Sequence, residues 1–207
     1  MRSILFDIDG VLIEGGHTGL AKSHRWNATL SQDLGLPQDA LEPFFAETFP
    51  NVICGHLQLE EALTVYLTQI GSPVSARTLI EYWMPRNARV NKKLWDLTTR
   101  LHATGKVKLF IATNQEHIRA AYLWHEVGFK EYFDDMFYAA ALKAMKPSPA
   151  FFAACNARLP ASESPPLFFD DDPAYVQGAR QAGWEAYVYE KEQVCLNHPF
   201  IKTVLDS

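Results

Sequence analysis

The sequence predicts an α/β protein: a doubly wound parallel sheet with an inserted helical cap. Three observations predict it. Short, continuously apolar runs recur without alternation, the pattern of strands buried on both faces of a parallel sheet. Segments with apolar residues at helical spacing separate them. Finally, about 75 residues between the first two runs carry only helical patterns, far more than one crossover needs.

Taken in order, Ile4–Phe6 within RSILFD reads as the first strand. Helical patterns then cover Leu20–Leu34, Asp39–Phe49 and Ser75–Trp83. Between the last two, Leu59, Ala62, Leu63, Tyr66, Leu67 and Ile70 recur at the spacing of one helix face. Gly35, Gly55, the Gly71-Ser72-Pro73 run and Pro85 punctuate these segments. Leu94, Leu97 and Leu101 mark a helix before the second strand, Val107–Ala112; Ile118, Ala121 and Tyr122 mark one after it. Met136–Ala140 is the expected third strand, followed by a helix carrying Phe151, Phe152 and Cys155. Leu167–Phe169 is the fourth, with Val176 and Ala179 on the next helix, and Ala186–Tyr189 is the fifth. This assigns residues 1–14 and 90–207 to a Rossmann-like core and 15–89 to the cap.

Composition narrows the function. The 207 residues are 48% hydrophobic and 21% charged, ordinary globular usage and too apolar for a disordered chain. The net charge of −5 argues against non-specific nucleic-acid binding, and no Lys/Arg-rich run is present. No apolar run reaches the ~18 residues of a membrane span, so no membrane partner is expected. The opening MRSILFDIDG leaves no room for a signal-peptide apolar region. The three cysteines are scattered outside any CxxC, which fits a reducing, cytoplasmic setting.

Ligands of doubly wound sheets bind beyond the carboxyl ends of the strands. Asp7, Asp9 and Gly10 follow the first strand, and Thr113 and Asn114 the second. Lys146, in MKPSP, precedes the helix after the third, and Asp170, Asp171 and Asp172 follow the fourth. If Asp7, Asp9, Asp170 and Asp171 converge, each like-charge pair at ~4 Å costs on the order of 4 kcal/mol at an effective dielectric of ~20. One lysine cannot offset that, whereas a divalent cation can, and all-oxygen ligands suit Mg²⁺. Asp172 before Pro173 reads as a helix cap instead. Asp7 and Asp9, two apart, share a face of an extended chain. One carboxylate can then attack phosphorus while the other exchanges a proton with the leaving oxygen and with water.

DIDGV, the Thr-Asn of IATNQ, the Lys-Pro of MKPSP and FFDDDPAYVQGARQAGW, in that order, resemble the four motifs of the haloacid dehalogenase-like (HAD) hydrolase superfamily. The segment after the first motif resembles that superfamily's helical cap, and GHLQLEEAL is similar to the cap of a phosphatase subgroup that includes sugar-phosphate phosphatases. The resemblance implies Mg²⁺ as cofactor and Asp7 as nucleophile and metal ligand. It implies Asp9 as general acid/base, with its backbone carbonyl on the metal. Thr113, Asn114 and Lys146 would hold phosphate. Asp171 would touch the metal directly and Asp170 directly or through water, with a one-residue shift to Asp171 and Asp172 left open. Superfamily members acting on carbon–halogen bonds or phosphonates lack the second acid, so Asp9 implies phosphomonoester chemistry through a phospho-aspartate.

A closing cap implies a small phosphorylated metabolite as partner, with sugar phosphates among the candidates. Substrate choice is expected from the cap and the loop after Val11, with Glu14 and His17 as candidate contacts and Lys22, His24 and Arg25 behind them. Trp26, Phe44, Phe45, Phe49 and Trp83 are expected in the cap's own core, and His117 and His125 are not expected to bind metal. A phosphomutase or phosphotransferase would use the same core residues, and a silent phosphate-binding scaffold would keep the same fold. The sequence assigns no oligomeric state.

Overall fold

A computed structural model describes residues 1–15 and 25–207. The strands are β1 (Arg2–Phe6), β2 (Val107–Thr113), β3 (Asp135–Tyr138), β4 (Leu167–Asp170) and β5 (Glu185–Val188). They form one parallel sheet in the order β3-β2-β1-β4-β5. Alternate side chains of the central strands feed opposite faces, as the twofold period requires. Ile4, Phe6, Leu109, Ile111 and Phe169 enter one core cluster, while Leu5, Phe110, Ala112 and Phe168 enter the other. Both faces are therefore covered, which is why these strands lack polar alternation. The third strand is shorter than expected: Ala139 and Ala140 are buried but belong to a helical turn, since alanine suits a helix better than an edge strand.

Among the described residues, helices α1 (Leu30–Leu34), α2 (Phe49–Ile53), α3 (Leu59–Gln69) and α4 (Ala76–Arg86) lie between β1 and β2. The sequence pattern over Asp39–Phe49 resolves into a turn, a π-helical stretch (Phe44–Thr48) and the start of α2. These elements share a separate hydrophobic cluster that includes Leu41, Phe44, Leu63, Leu67, Leu79 and Trp83. Trp26, Phe45 and Phe49 pack against it, with Trp26 and Trp83 ring centroids 5.3 Å apart. The aromatic residues thus serve as core. Ser75 caps α4, its hydroxyl accepting from the Thr78 amide.

Helix α5 (Lys92–Thr104) starts at the cap residue Asn91 and leads into β2. Then come α6 (His117–His125), α7 (Ala139–Leu142), α8 (Pro149–Asn156), α9 (Pro173–Gln181), α10 (Glu192–Leu196) and α11 (Pro199–Asp206). The two passages between sheet and helical segment run side by side. The Glu14 amide donates to Arg89 O at 2.8 Å, the Asn91 amide donates to Leu12 O at 2.9 Å, and Ile13 bridges Val90 antiparallel. Among the described residues no helix is long and apolar enough to cross a membrane.

Candidate active site

The strand order places β1 between β2 and β4: the chain runs from β1 to β2 and β3 on one side, then crosses from β3 to β4 and β5 on the other. Such a switch point opens a crevice at the carboxyl edge. Asp7 directly follows β1, its amide continuing the ladder to Phe169 O at 2.9 Å. Thr113 ends β2 and Asp170 ends β4. Gly10, with φ of 85°, turns the chain just after Asp9. A cleft of about 350 Å³ opens there, lined by Asp7, Asp9, Thr113, Asn114, Lys146 and Asp171, with Ile53, Met145 and Tyr175 as its less polar wall.

Lys146 organises the floor. It is fully buried, with Nζ 2.9 Å from Asp7 Oδ1 and 2.5 Å from Asp170 Oδ2. Its backbone is held by Asn114, whose carboxamide accepts from the Lys146 amide at 2.8 Å and donates to the Lys146 carbonyl at 3.1 Å. Burial alone would lower the lysine's pKa; the Asp170 and Asp7 carboxylates overcome that and hold it above its ordinary value. Burial is also the largest influence on Asp7, which is pushed up to about 7 despite Lys146, with Asp170 and Asp9 adding repulsion. Asp170 is raised as well, burial outweighing Lys146.

One oxygen and one trio of acids bear on cation binding. Asp7 Oδ1 lies at ion-pair distance from Lys146 but outside hydrogen-bonding geometry, so it is buried without a hydrogen bond. Asp7, Asp170 and Asp171, all buried, offer carboxylate oxygens within 4.8 Å of one another. Three such acids beside one ammonium leave the pocket anionic, and hard oxygen donors at this spacing fit a hard divalent cation. Asp170 Oδ1 also accepts from the Asp172 amide at 2.9 Å. Asp172 caps α9, accepting from the Ala174 amide at 2.7 Å, with Pro173 in the first turn. The acids brought to Asp7 are therefore Asp170 and Asp171, rather than Asp171 and Asp172.

Asp9 has different company. Its side chain keeps 41% exposure at the cleft, yet both oxygens are held by the buried Arg119, Oδ1 by Nη2 and Oδ2 by Nη1, each at 2.7 Å. Gln115 Nε2 donates to Oδ2 as well, at 2.7 Å. Burial pushes the Asp9 pKa up, but the Arg119 guanidinium and the Gln115 amide win and hold it below the usual carboxylate value.

The sequence reading brought Asp7, Asp9, Thr113, Asn114, Lys146 and Asp171 to one cleft, with Asp170 beneath it. His17, Lys22 and His24 lie outside the described residues. Glu14 does not line the cleft: it pairs with Arg89 at 2.7 Å across the two passages, where an arginine is the near charge and the pocket is not. Among the described residues, His117 and His125 join no group able to hold a metal ion; His117 meets the Tyr138 hydroxyl at 3.3 Å. Arg119, Gln115, Tyr175, Ile53 and Met145 were not singled out. No helix-face spacing links the first two, since Gln115 precedes the Glu116 cap of α6 and Arg119 lies in its first turn.

A family profile described as a hydrolase, haloacid dehalogenase-like hydrolase, matches residues 1–183. No curated protein sequence matches significantly. Among solved structures, the HAD family enzyme BT-2542 from Bacteroides thetaiotaomicron, in complex with magnesium and inorganic phosphate, superposes with a TM-score of 0.74 at 20% identity, over 96% of this chain and 100% of that one. A predicted HAD-like family hydrolase from Porphyromonas gingivalis gives 0.75 at 21% identity, over 100% of this chain and 98% of that one. The L-2-haloacid dehalogenase from Xanthobacter autotrophicus gives 0.64 at 15% identity, over 98% and 86%. At these identities the likeness is one of fold, while the profile extends from β1 past α9 and so takes in the strand exits around the cleft. On that match the chain belongs to the haloacid dehalogenase-like hydrolases.

Proposed function

We propose that this hydrolase is a Mg²⁺-dependent phosphatase that cleaves a small phosphate monoester through a phospho-aspartate on Asp7. The observation that carries the reading is the pocket floor, where the Asp7 oxygen without a hydrogen bond meets two further acids and a buried lysine. The magnesium and phosphate held by BT-2542 agree with it. The second acid, Asp9, favours phosphoryl over carbon–halogen chemistry, because an alkoxide leaving group needs a proton and a halide does not.

A bound Mg²⁺, held by Asp7, Asp170, Asp171 and the Asp9 carbonyl, would neutralise the acid cluster and draw a phosphate oxygen toward it. Asp7 attacks phosphorus in line and the ester oxygen leaves. Thr113 donates its hydroxyl and Asn114 its backbone N–H to phosphate oxygens, and Lys146 supplies a fixed positive charge below them. Asp9 gives a proton to the leaving oxygen, then takes one from the water that releases phosphate from Asp7. The helical segment 15–89 acts as a cap: it sets Ile53 against the cleft, and Lys143 Nζ donates to Gly55 O across the gap. A cleft of about 350 Å³ suits a metabolite of sugar-phosphate size.

The test is phosphate release from p-nitrophenyl phosphate and a panel of small phosphorylated metabolites with Mg²⁺, using Asp7→Asn as the blank. Asp7→Asn is expected to abolish turnover while keeping the wild-type fold by circular dichroism. Near-wild-type turnover in Asp7→Asn would remove Asp7 from its role.

A further inference from the structure

Arg119 reaches two places that are far apart in the chain. Its side chain is 6% exposed and does not line the cleft. Nη1 donates to Asp9 Oδ2 at 2.7 Å and to Gln115 Oε1 at 2.8 Å. Nη2 donates to Asp9 Oδ1 at 2.7 Å and to the Asn87 carbonyl at 2.9 Å. Asn87 ends α4, on the passage returning from the helical segment to the sheet, two residues before Arg89, which pairs with Glu14 on the outgoing passage. One rigid guanidinium plane therefore joins the Asp9 carboxylate to the second passage.

We propose that Arg119 is a positioning residue that ties the direction of the Asp9 carboxylate to the posture of the helical segment. Both carboxylate oxygens sit on a planar fork, so Asp9 cannot turn without breaking a charge-assisted bond. The same fork holds Asn87 O, so a rotation of the segment about its two passages shifts the guanidinium and Asp9 with it. Arg119 touches no group in the cleft other than Asp9, so its effect on turnover passes through that carboxylate. Lysine, a single point charge, cannot hold two carboxylate oxygens and a carbonyl in one plane.

The catalytic half of this inference rests on the phosphatase reading; the tie itself does not, and two measurements separate them. The first compares kcat and KM of wild type and Arg119→Lys on p-nitrophenyl phosphate, whose leaving group needs no proton, and on propyl phosphate, whose leaving group does. The expected result is a fall in kcat on the order of a hundredfold on propyl phosphate, about threefold or less on the aryl ester, and little change in either KM. An equal fall on both substrates, or none, overturns the positioning role.

The second measurement is amide hydrogen exchange of the Mg²⁺-free protein. Arg119→Lys and Asp9→Asn are both expected to speed exchange in peptides covering residues 10–14 and 87–91, while the β4 peptide is unchanged. Unaltered exchange in the 87–91 peptide of both variants overturns the tie. Asp9→Asn keeps this arm decisive if Arg119→Lys does not fold. A wild-type protein inactive on every ester would sink the phosphatase reading and with it the catalytic half, while the exchange result still decides whether Arg119 couples the two places.

Discussion

Lys146→Met removes the buried ammonium that neutralises the pocket floor from below, and the structure sets the size of the effect. The ammonium lies 2.9 Å from an Asp7 oxygen and 2.5 Å from an Asp170 oxygen, with no exposure to water. At an effective dielectric of ~20 each contact is worth about 6 kcal/mol of gross attraction. The cost of burying the ammonium cancels a large part of that sum. What remains after deleting one partner of a buried ion cluster is about 3–5 kcal/mol of lost stability. For a chain of this length that lowers the melting temperature by roughly 6–20 °C. The assay is thermal denaturation in EDTA at pH 7.5 and again at pH 5.5. Without the lysine, Asp7 and Asp170 hold protons more tightly in the folded than in the unfolded chain. The folded state therefore gains stability as pH falls toward the unfolded value near 4, and the deficit of the variant shrinks at pH 5.5. A melting temperature within ~2 °C of wild type in EDTA at pH 7.5 would refute the ion-cluster account.

Mg²⁺ is expected to stabilise the folded protein by ~2.7 kcal/mol at a hundredfold excess over its dissociation constant, and Asp171→Asn to shrink that gain; identical melts with and without the ion would count against the acid trio. Gly178→Ala sets a methyl 2.9 Å from the Pro147 carbonyl oxygen and 2.9 Å from Phe152 Cε2, beside the Lys146 loop. It is expected to cost about 1–3 kcal/mol by chemical denaturation, and an unchanged midpoint would show that the loop yields freely. Burial raises the Glu185 pKa, but hydrogen bonds from Arg2, His198 and Tyr187 outweigh it and bring the group to about 2. Because the folded value lies below the unfolded one, this stabilisation is complete above pH 4.5 and drains away as pH falls toward 2. Glu185 is partly exposed, so Glu185→Gln is expected to cost on the order of 1 kcal/mol at pH 7 and almost nothing at pH 2, read from urea midpoints.

Much of the sheet was legible because a doubly covered parallel strand has a simple signature. RSILF and VKLFIAT leave no polar face, and both proved central. The edges were harder: Met136–Tyr138 continue without a polar break into Ala139 and Ala140, so the apolar run hides the point where alanine's helical preference takes over. Asp172 was readable as a cap because proline follows it, but the sequence left a shift to Asp171 and Asp172 open, and only the folded strand exits group Asp170 and Asp171 with Asp7. Asp9 was legible as an acid at the first strand's exit, but its environment was not. The guanidinium that grips it comes from the helix after β2, and a contact spanning 110 positions has no local signal. Glu14 illustrates the converse, for its position near the cleft suggested a ligand contact, whereas Arg89 on the returning passage captures it.

Asn114 holds the Lys146 backbone by one accepted and one donated bond, imitating with a side-chain amide the pairing that a neighbouring strand would provide. Only a carboxamide has both halves of that handshake on adjacent atoms. Aspartate, nearly the same shape, would turn an oxygen toward the Lys146 carbonyl and repel it; leucine would leave both peptide groups unanswered. Slow deamidation during storage is thus a way for this protein to lose its lysine's placement through a mass change of a single dalton.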